Sequence, residues 1–232
     1  MKKINNREQV DYFLQVHQLD SIFNEQIKPY LTLYSFEQGE LICSQGDPTQ
    51  CLFILVKGKV KIYTTSPEGK TLILSFKTPV EVIGDIEYVQ DIDIINTVEA
   101  VSPVCMIGVQ HNMLKEFLKD YPPFLQFLLE VVTQKFYIKS NSMRFNLMYP
   151  VEVRLASYLL SINFDENHLQ LSEQFSTSNL TDIANLIGTS YRHLNRVIHQ
   201  FCLEGIIERK KGFILIKNRE GLRNLASDNI YE

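Results

Sequence analysis

The sequence predicts an α+β chain in which a β-rich N-terminal part, a long helix and a helix-turn-helix with a β-hairpin follow one another. Three observations predict it. Short runs rich in Val, Ile, Phe and Tyr lie between positions 31 and 109, positions 124–149 contain neither Gly nor Pro, and Gly188 separates two amphipathic helix patterns. With 232 residues, 45% of them apolar, the chain is long enough for one large domain or two modest ones.

Composition excludes several classes of protein. No run of about 18 apolar residues suggests a membrane span, and the N-terminus lacks the pattern of a signal peptide, so a cytoplasmic protein is expected. The four cysteines match neither C-x-x-C pairs nor a disulfide ladder: Cys43, Cys51, Cys105 and Cys202. They are predicted to be small buried hydrophobes, and a disulfide between Cys43 and Cys51 is the alternative.

Positions 1–30 carry helix-like spacing that ends near Pro29, which predicts a helical lead-in. Positions 31–120 hold short runs such as LFILV, KVKIYTT and TLILSF, with turn signals every 8 to 12 residues. The segment SPEGK reads as a hairpin turn, with Gly supplying the positive-φ position. This texture predicts an all-β barrel or sandwich.

Positions 121–148 predict one long helix, because apolar residues recur there in a 4-3-4-3 pattern. The stripe consists of Leu125, Leu129, Val132, Phe136 and Met143, with Lys139 at the missing step. The pattern indicates a seam for a partner helix, and the alternative is that the stripe covers the β domain. A hinge at Pro150 leads into a second domain, 149–232, with a helix over 152–162, a short strand over 168–171, two helices and a basic hairpin.

The two helices near the C-terminus form a predicted helix-turn-helix. Asn179 is positioned to cap the first helix, Gly188 makes the turn, and the second helix spans about 191–203. Its outward face carries Arg192, His193 and Arg196, and an Arg side chain can donate two bonds to guanine in the major groove.

The hairpin that follows carries Arg209, Lys210 and Lys211, which are predicted to contact phosphates. Positions 188–223 hold eight cations against three anions although the whole chain carries a net charge of −4. The alternative is a three-helix domain with a solvated basic surface, in which His193 is an ordinary surface residue and Tyr191 stacks on the domain.

The run FEQGELICSQGDPTQCLFILVKGKVKIYTTSPEGKTLILSF, followed by IGDIEYVQD, a long helix and the helix-turn-helix, resembles the Crp/Fnr family of bacterial transcription regulators. The run GTSYRHLNRVIHQFCLEGIIERKKGFILIKNREGL is especially similar to the YeiL-type branch. The resemblance implies a double-stranded β-roll at 31–120, a dimerisation helix at 121–148 and a winged helix-turn-helix at 149–232. It also implies a homodimer on a pseudo-palindromic DNA site, with RNA polymerase as a further partner.

By motif position, the resemblance places Ser190, Tyr191, Arg192 and Arg196 at bases or neighbouring phosphates. His193, Lys210 and Lys211 complete the predicted DNA-contacting set. Well-known members carry Glu where this chain has Arg192, so a different operator is expected, because Glu accepts from cytosine whereas Arg favours guanine.

The segment VIGDIEYVQDIDIINTVEA lies where cAMP-binding members hold their ligand through a cassette that opens G-E-[LI] and closes R-[ST]-A. The matching positions here form the candidate effector pocket: Gly84, Asp85, Ile86, Ile95, Asn96 and Thr97. The phosphate-pairing Arg falls on Ile94 or Ile95, and no Lys or Arg occurs between Lys77 and Lys115. This disfavours cAMP and other anions.

Three alternatives stay open: a neutral or cationic effector, no effector, or control through partner proteins and expression level. The alternative to a pocket is a scaffold loop in which Ile92, Ile94 and Ile95 pack inward.

Other functions are excluded by missing residues. An Fnr-type iron-sulfur cluster needs N-terminal cysteines, which positions 1–42 lack, and no His lies between 31 and 110 to hold a haem. No metal-ligand cluster, P-loop or nucleophile with a paired base is present, so an enzyme is not predicted. The sequence thus predicts a dimeric DNA-binding regulator whose domains rotate about 147–151. The alternative is a β-roll module for ligand sensing or protein interaction without specific operator binding.

Overall fold

A computed structural model describes residues 1–69, 71–161, 174–176 and 180–226. The chain splits into two compact units, Met1–Lys135 and Phe136–Glu232. The boundary falls inside one continuous helix, so each unit contains part of it. None of the helices in the described part of the chain has the length and apolar character that a membrane crossing requires.

The first unit is built from nine strands and short helices. In chain order these are β1 (Lys2–Ile4), α1 (Arg7–Val16), a 3₁₀ turn (Lys28–Tyr30), β2 (Thr32–Phe36), β3 (Leu41–Cys43), β4 (Cys51–Lys57), β5 (Val60–Thr65), β6 (Thr71–Lys77), β7 (Glu81–Ile83), α2 (Asp85–Gln90), β8 (Thr97–Ala100), β9 (Val104–Gln110) and α3 (His111–Phe117). The helix α4 (Pro122–Met148) then begins.

The strands form two antiparallel sheets. One has the order β1-β2-β9-β4-β7 and the other β3-β8-β5-β6. A core between them contains Phe36, Phe53 and Met106, and a second core lies under the helices and contains Leu14, Phe23 and Phe124. Short apolar runs and regularly spaced turn signals predicted this β domain.

The turn predicted at SPEGK joins β5 to β6. The Gly69 amide donates to the Ser66 carbonyl at 2.8 Å and Gly69 has a φ of 79°, a conformation that Gly adopts without steric cost. Strand β1 was not predicted. Residues 1–30 were predicted to form a helical lead-in, but Lys2–Ile4 pairs antiparallel with β2 at Leu33–Ser35.

Helix α4 occupies the range predicted for a long helix, and it carries two apolar stripes. Phe124 and Leu128 are buried against the first unit and Val131 packs beside them. The stripe predicted as a seam lies on a different face and is exposed: Leu125, Leu129, Val132, Phe136 and Met143. The alternative in which that stripe covers the β domain is therefore wrong for the single chain.

The second unit contains the rest of α4, α5 (Val151–Ser161), β10 (Gln174–Ser176), α6 (Leu180–Leu186), α7 (Tyr191–Leu203), β11 (Ile207–Lys210), β12 (Phe213–Ile216) and α8 (Arg219–Ala226). Its sheet has the order β10-β12-β11, and its core includes Leu155, Leu194 and Phe201. The strand predicted at 168–171 and the capping residue Asn179 lie outside the described residues.

The two compact units divide inside α4, between Lys135 and Phe136. Phe124 and Leu128 of α4 belong to the core of the first unit, and Lys135 donates to Asp85 of that unit, whereas Phe136 is 72% exposed. The predicted domain boundary at 148/149 stays a prediction.

Candidate DNA interface and effector pocket

A tight turn joins α6 to α7. Gly188 has a φ of 67°, and the Thr189 amide donates to the Ala184 carbonyl at 2.8 Å. Ala184 and Ile187 are buried against α7, and the small side chain of Ala184 lets the two helices cross closely. The predicted helix-turn-helix is thus present, with its turn at the predicted glycine.

A buried guanidinium holds this turn from behind. Arg154 of α5 is 8% exposed, and its Nη1 donates to the carbonyls of Ile187 and Gly188. These carbonyls follow the end of α6, where the helix leaves acceptors without partners and the helix dipole favours a cation. Sequence reasoning did not find this role, although a charged residue between buried Val151 and Leu155 is a signal for it.

The contact between Arg154 and the turn is expected to stabilise the fold. Arg154→Met keeps an unbranched side chain but removes both hydrogen bonds that Nη1 donates, so we expect the free energy of unfolding to fall by about 1–3 kcal/mol. Denaturant unfolding of the full chain measures this. Arg223→Met, which removes an exposed cation of α8, is the matched control and should change the free energy of unfolding by less than about 0.5 kcal/mol. Equal losses in both variants would contradict the assigned role.

Helix α7 begins with a side-chain cap. The Ser190 Oγ accepts from the His193 amide at 3.1 Å, so this predicted DNA contact has a structural role as well. Beyond the cap, Tyr191, Arg192 and Arg196 are exposed and His193 is half-buried. The helix N-terminus and the two guanidinium groups therefore lie on one open, positively charged surface.

His199 is also exposed on α7 and was missed. It follows Arg196 by three positions and Arg192 by seven, so the three side chains share one helix face. The spacing was visible in the sequence, but an isolated His after a run of buried residues gave no separate signal.

The hairpin of β11 and β12 is joined to α7 by a side-chain hydrogen bond. Arg209 Nη1 donates to Asn195 Oδ1 at 2.8 Å. Lys210 and Lys217 lie 3.6 and 3.2 Å from the carboxylate of Glu208, and these exposed pairs stabilise little. Arg209 thus has a positioning contact, whereas Lys210 and Lys211 remain exposed near the tip, where the predicted phosphate contacts would lie.

The candidate effector pocket consists of the start of α2 and the segment before β8. Gly84 has a φ of 88°, and a Cβ there would meet the Cys51 carbonyl oxygen at 2.8 Å, so only glycine fits. Glu87 Oε1 accepts from the Ile95 amide at 3.0 Å, which brings the two halves of the predicted pocket together. The Thr97 hydroxyl accepts from the Gln45 amide at 3.1 Å.

A cation from α4 lies against this pocket. Lys135 Nζ is 2.8 Å from Asp85 Oδ1, 2.9 Å from Glu81 Oε1 and 2.5 Å from the Val82 carbonyl oxygen. Burial by itself would lower the pKa of Lys135, but the two carboxylates outweigh it and raise this pKa, so the ammonium stays charged. Lys77 lies 3.3 Å from Glu81, which completes a balanced group of two cations and two anions.

Sequence reasoning missed Lys135, because this residue lies outside the interval from Lys77 to Lys115 that contains the predicted loop. Its signal was its place on the buried stripe of α4, seven positions after Leu128. The alternative of an inward-packed loop holds in part: Ile94 is buried, whereas Ile92 and Ile95 are exposed. Ile86 of the predicted pocket is also exposed, and the Asn96 carbonyl accepts from the Cys43 thiol at 3.8 Å.

The four cysteines are free thiols. Cys43 and Cys51 lie on β3 and β4, which belong to different sheets. Burial raises the pKa of Cys43 to about 12, and Glu87 adds to the shift, so the nucleophilic thiolate is suppressed. Within the described ranges no group of three or more His, Cys, Asp or Glu side chains is arranged to hold a metal ion.

Comparison with known proteins agrees with this architecture. The family model for the cyclic nucleotide-binding domain matches residues 33–121, and the model for the Crp-like helix-turn-helix domain matches residues 153–225. Regulatory protein YeiL of Escherichia coli is 27% identical over 198 residues, which cover 84% of this chain and 85% of that protein.

The CRP-like cAMP-activated global transcriptional regulator of Mycobacterium tuberculosis is 24% identical over 202 residues, covering 82% of this chain and 86% of that one. A solved CRP/FNR-family regulator from Thermus thermophilus has the same fold, with a TM-score of 0.69 at 19% identity, over 85% of this chain and 99% of that chain. Members of this family are transcription regulators rather than enzymes. With a β domain that matches the cyclic nucleotide-binding model, a long helix and a Crp-like helix-turn-helix in the expected order, the chain belongs to the Crp/Fnr family of transcription regulators.

Proposed function

We propose that this regulator binds a pseudo-palindromic operator as a homodimer, with α7 of each protomer in the major groove of one half-site. One observation carries the proposal. Arg192 and Arg196 lie one helical turn apart on the open face of α7, while Leu194, Val197 and Ile198 fix the opposite face in the core. Two guanidinium groups held in this way match the acceptor pair that guanine presents in the major groove.

The second element of the proposal is the dimer seam. Its five apolar residues are exposed on the single chain, and Leu129 and Phe136 are 62% and 72% exposed. An exposed apolar stripe of this kind on a soluble protein indicates an interaction site, and a two-fold axis along α4 would bury it against its own copy. A symmetric dimer then presents two recognition helices, which is why a pseudo-palindromic operator is expected.

The operator is expected to contain guanine where well-known members read cytosine, because position 192 is Arg. We place Lys210 and Lys211 at the phosphates, where they raise affinity without choosing sequence. RNA polymerase is the further partner that the family resemblance suggests. A β-roll module that binds no specific operator is the alternative.

We also propose that DNA binding does not depend on cAMP. The Mycobacterium tuberculosis relative is described as cAMP-activated, but this chain has Ile94 and Ile95 at the matching Arg position. Lys135 does not replace that Arg, because its Nζ already donates to the Val82 carbonyl and to Asp85 Oδ1 and also forms an ion pair with Glu81. A cyclic phosphate would meet carboxylates here instead of donors.

The test is selection of bound sequences from random duplex DNA with the purified protein, alone, with cAMP and with a metabolite extract. We expect a pseudo-palindrome that contains guanine in each half-site, and the same sequence and affinity with and without cAMP. An affinity that rises at least tenfold with cAMP would overturn the effector proposal. Selection of no sequence in any of the three conditions would favour the β-roll module.

A further inference from the structure

The Lys135 ammonium occupies the acidic end of the predicted effector pocket. The three oxygens around it all come from β7 and the start of α2, namely Glu81, Val82 and Asp85. The site is closed to water on most sides, since the side chains of Lys135, Glu81 and Asp85 are 24%, 9% and 3% exposed. It therefore has the composition of a buried site for one primary ammonium group, and a residue of the same chain fills it.

The carboxylate oxygens of this site are not all hydrogen-bonded. Asp85 Oδ2 and Glu81 Oε1 are buried, and among the described residues neither has a hydrogen-bond partner, although Glu81 Oε1 lies 2.9 Å from Lys135 Nζ. A buried acceptor without a donor destabilises the fold, so the two carboxylates are positioned for a cation and not for close packing. Without the Lys135 ammonium, the two buried carboxylates would lose their shared counterion. Only the Glu81 carboxylate would still have a cation nearby, namely Lys77.

The position of Lys135 along α4 connects this site to the proposed seam. Lys135 is the last residue of the first unit, and the next residue, Phe136, belongs to the exposed stripe. Successive helix residues are rotated by a fixed angle, so fixing the Lys135 side chain fixes the direction in which Phe136 and Val132 point. A change at Asp85 would therefore be transmitted to the seam through one continuous helix.

We propose that Glu81, Asp85 and the Val82 carbonyl form a primary-ammonium site whose resident ligand is Lys135, and that this internal ligand holds α4 in the DNA-binding arrangement in place of an external effector. The DNA-binding half of this inference rests on the proposed function. The ammonium site itself does not.

The experiment uses Lys135→Ala, which leaves a space the size of n-propylammonium. We expect this variant to bind the selected operator about 5- to 150-fold more weakly than the wild type, the usual range for coupling between two sites.

Added n-propylammonium should restore the affinity of the variant in a saturable way, whereas n-propanol should not. The wild type should not respond, because its site is filled. Lys119→Met is the matched control: it removes an exposed cation of the first unit that lies outside this charged group, and it should keep full affinity.

A second readout separates this role from a purely structural one. The unfolding temperature of Lys135→Ala should rise with n-propylammonium and not with n-propanol, whether or not DNA is present. The double variant Asp85→Asn with Lys135→Met removes the unpaired buried charge. We expect it to regain stability but not operator affinity.

Several outcomes would overturn the proposal. One is unchanged operator affinity in Lys135→Ala, and another is a double variant that regains both stability and affinity. A third is the absence of any thermal response to n-propylammonium, which would refute the ammonium site. If the wild type selects no operator, the proposed function fails and with it the DNA-binding half, while the thermal response still decides whether the ammonium site exists.

Discussion

Replacing Arg192 and Arg196 together by alanine should abolish discrimination between the selected operator and an unrelated duplex. Each bidentate contact to guanine contributes about 1–3 kcal/mol of discrimination, so each lost contact lowers the specificity ratio by about 5- to 150-fold. The two sites are one turn apart and need not be additive. Binding curves on both duplexes at two salt concentrations measure the ratio and its salt dependence.

Lys211→Ala is the control for this prediction, since Lys211 is exposed near the tip of the hairpin and is assigned to a phosphate. It should weaken binding to both duplexes by a similar factor and reduce the salt slope by about 2, since each protomer of the dimer loses one phosphate contact. If the arginine double variant behaves in this way too, with the specificity ratio unchanged, then α7 does not read bases and the assignment fails.

The interface behind this prediction was largely predictable from the sequence. Helix α7 is amphipathic, its cap Ser190 and the turn glycine Gly188 precede it, and all of these signals lie between positions 188 and 203. Local spacing decides which side chains of a helix face the core. The exposed positions of Arg192 and Arg196 followed from it directly.

The contacts that position these elements were not predictable, because their partners are far apart in the chain. Arg154 reaches the Ile187 carbonyl across 33 positions, and Lys135 reaches Asp85 across 50. Strand β1 pairs with β2 across about thirty positions, at Leu33–Ser35. Helix and turn patterns carry no information about such pairings. The sequence therefore indicated no cation for the effector loop, because Lys135 lies far from the loop along the chain.

The same limit explains how α4 was interpreted. Its outer stripe gave a clear 4-3-4-3 pattern, whereas the inner stripe of Phe124 and Leu128 is short and ends at a lysine. Only the fold distinguishes the two, because both are apolar and both follow helical spacing. With the inner stripe assigned to the β domain, the outer stripe has no cover within the first unit.

Glutamate at Leu129 and Phe136 should therefore convert a dimer into a monomer. Neither side chain is buried in the single chain, so the protomer should keep its fold and its circular dichroism. In a symmetric seam each substitution places a carboxylate on both helices, and an uncompensated buried charge costs about 3–5 kcal/mol. The dissociation constant of the dimer should rise at least a hundredfold, and sedimentation at micromolar concentration should give the protomer mass of 26.9 kDa.

Gln134→Glu adds the same charge to an exposed position of α4 away from the stripe and should leave the dimer intact. Loss of the dimer should also weaken operator binding, because two linked recognition helices bind a palindrome more tightly than separate ones. Binding to a single half-site should change much less, since α7 is unaltered. Two results would contradict this prediction: a monomeric wild type, or a double glutamate variant that stays dimeric. Either would show that the exposed stripe of α4 is not the dimer seam. The pseudo-palindromic operator expected from that dimer would then be refuted as well.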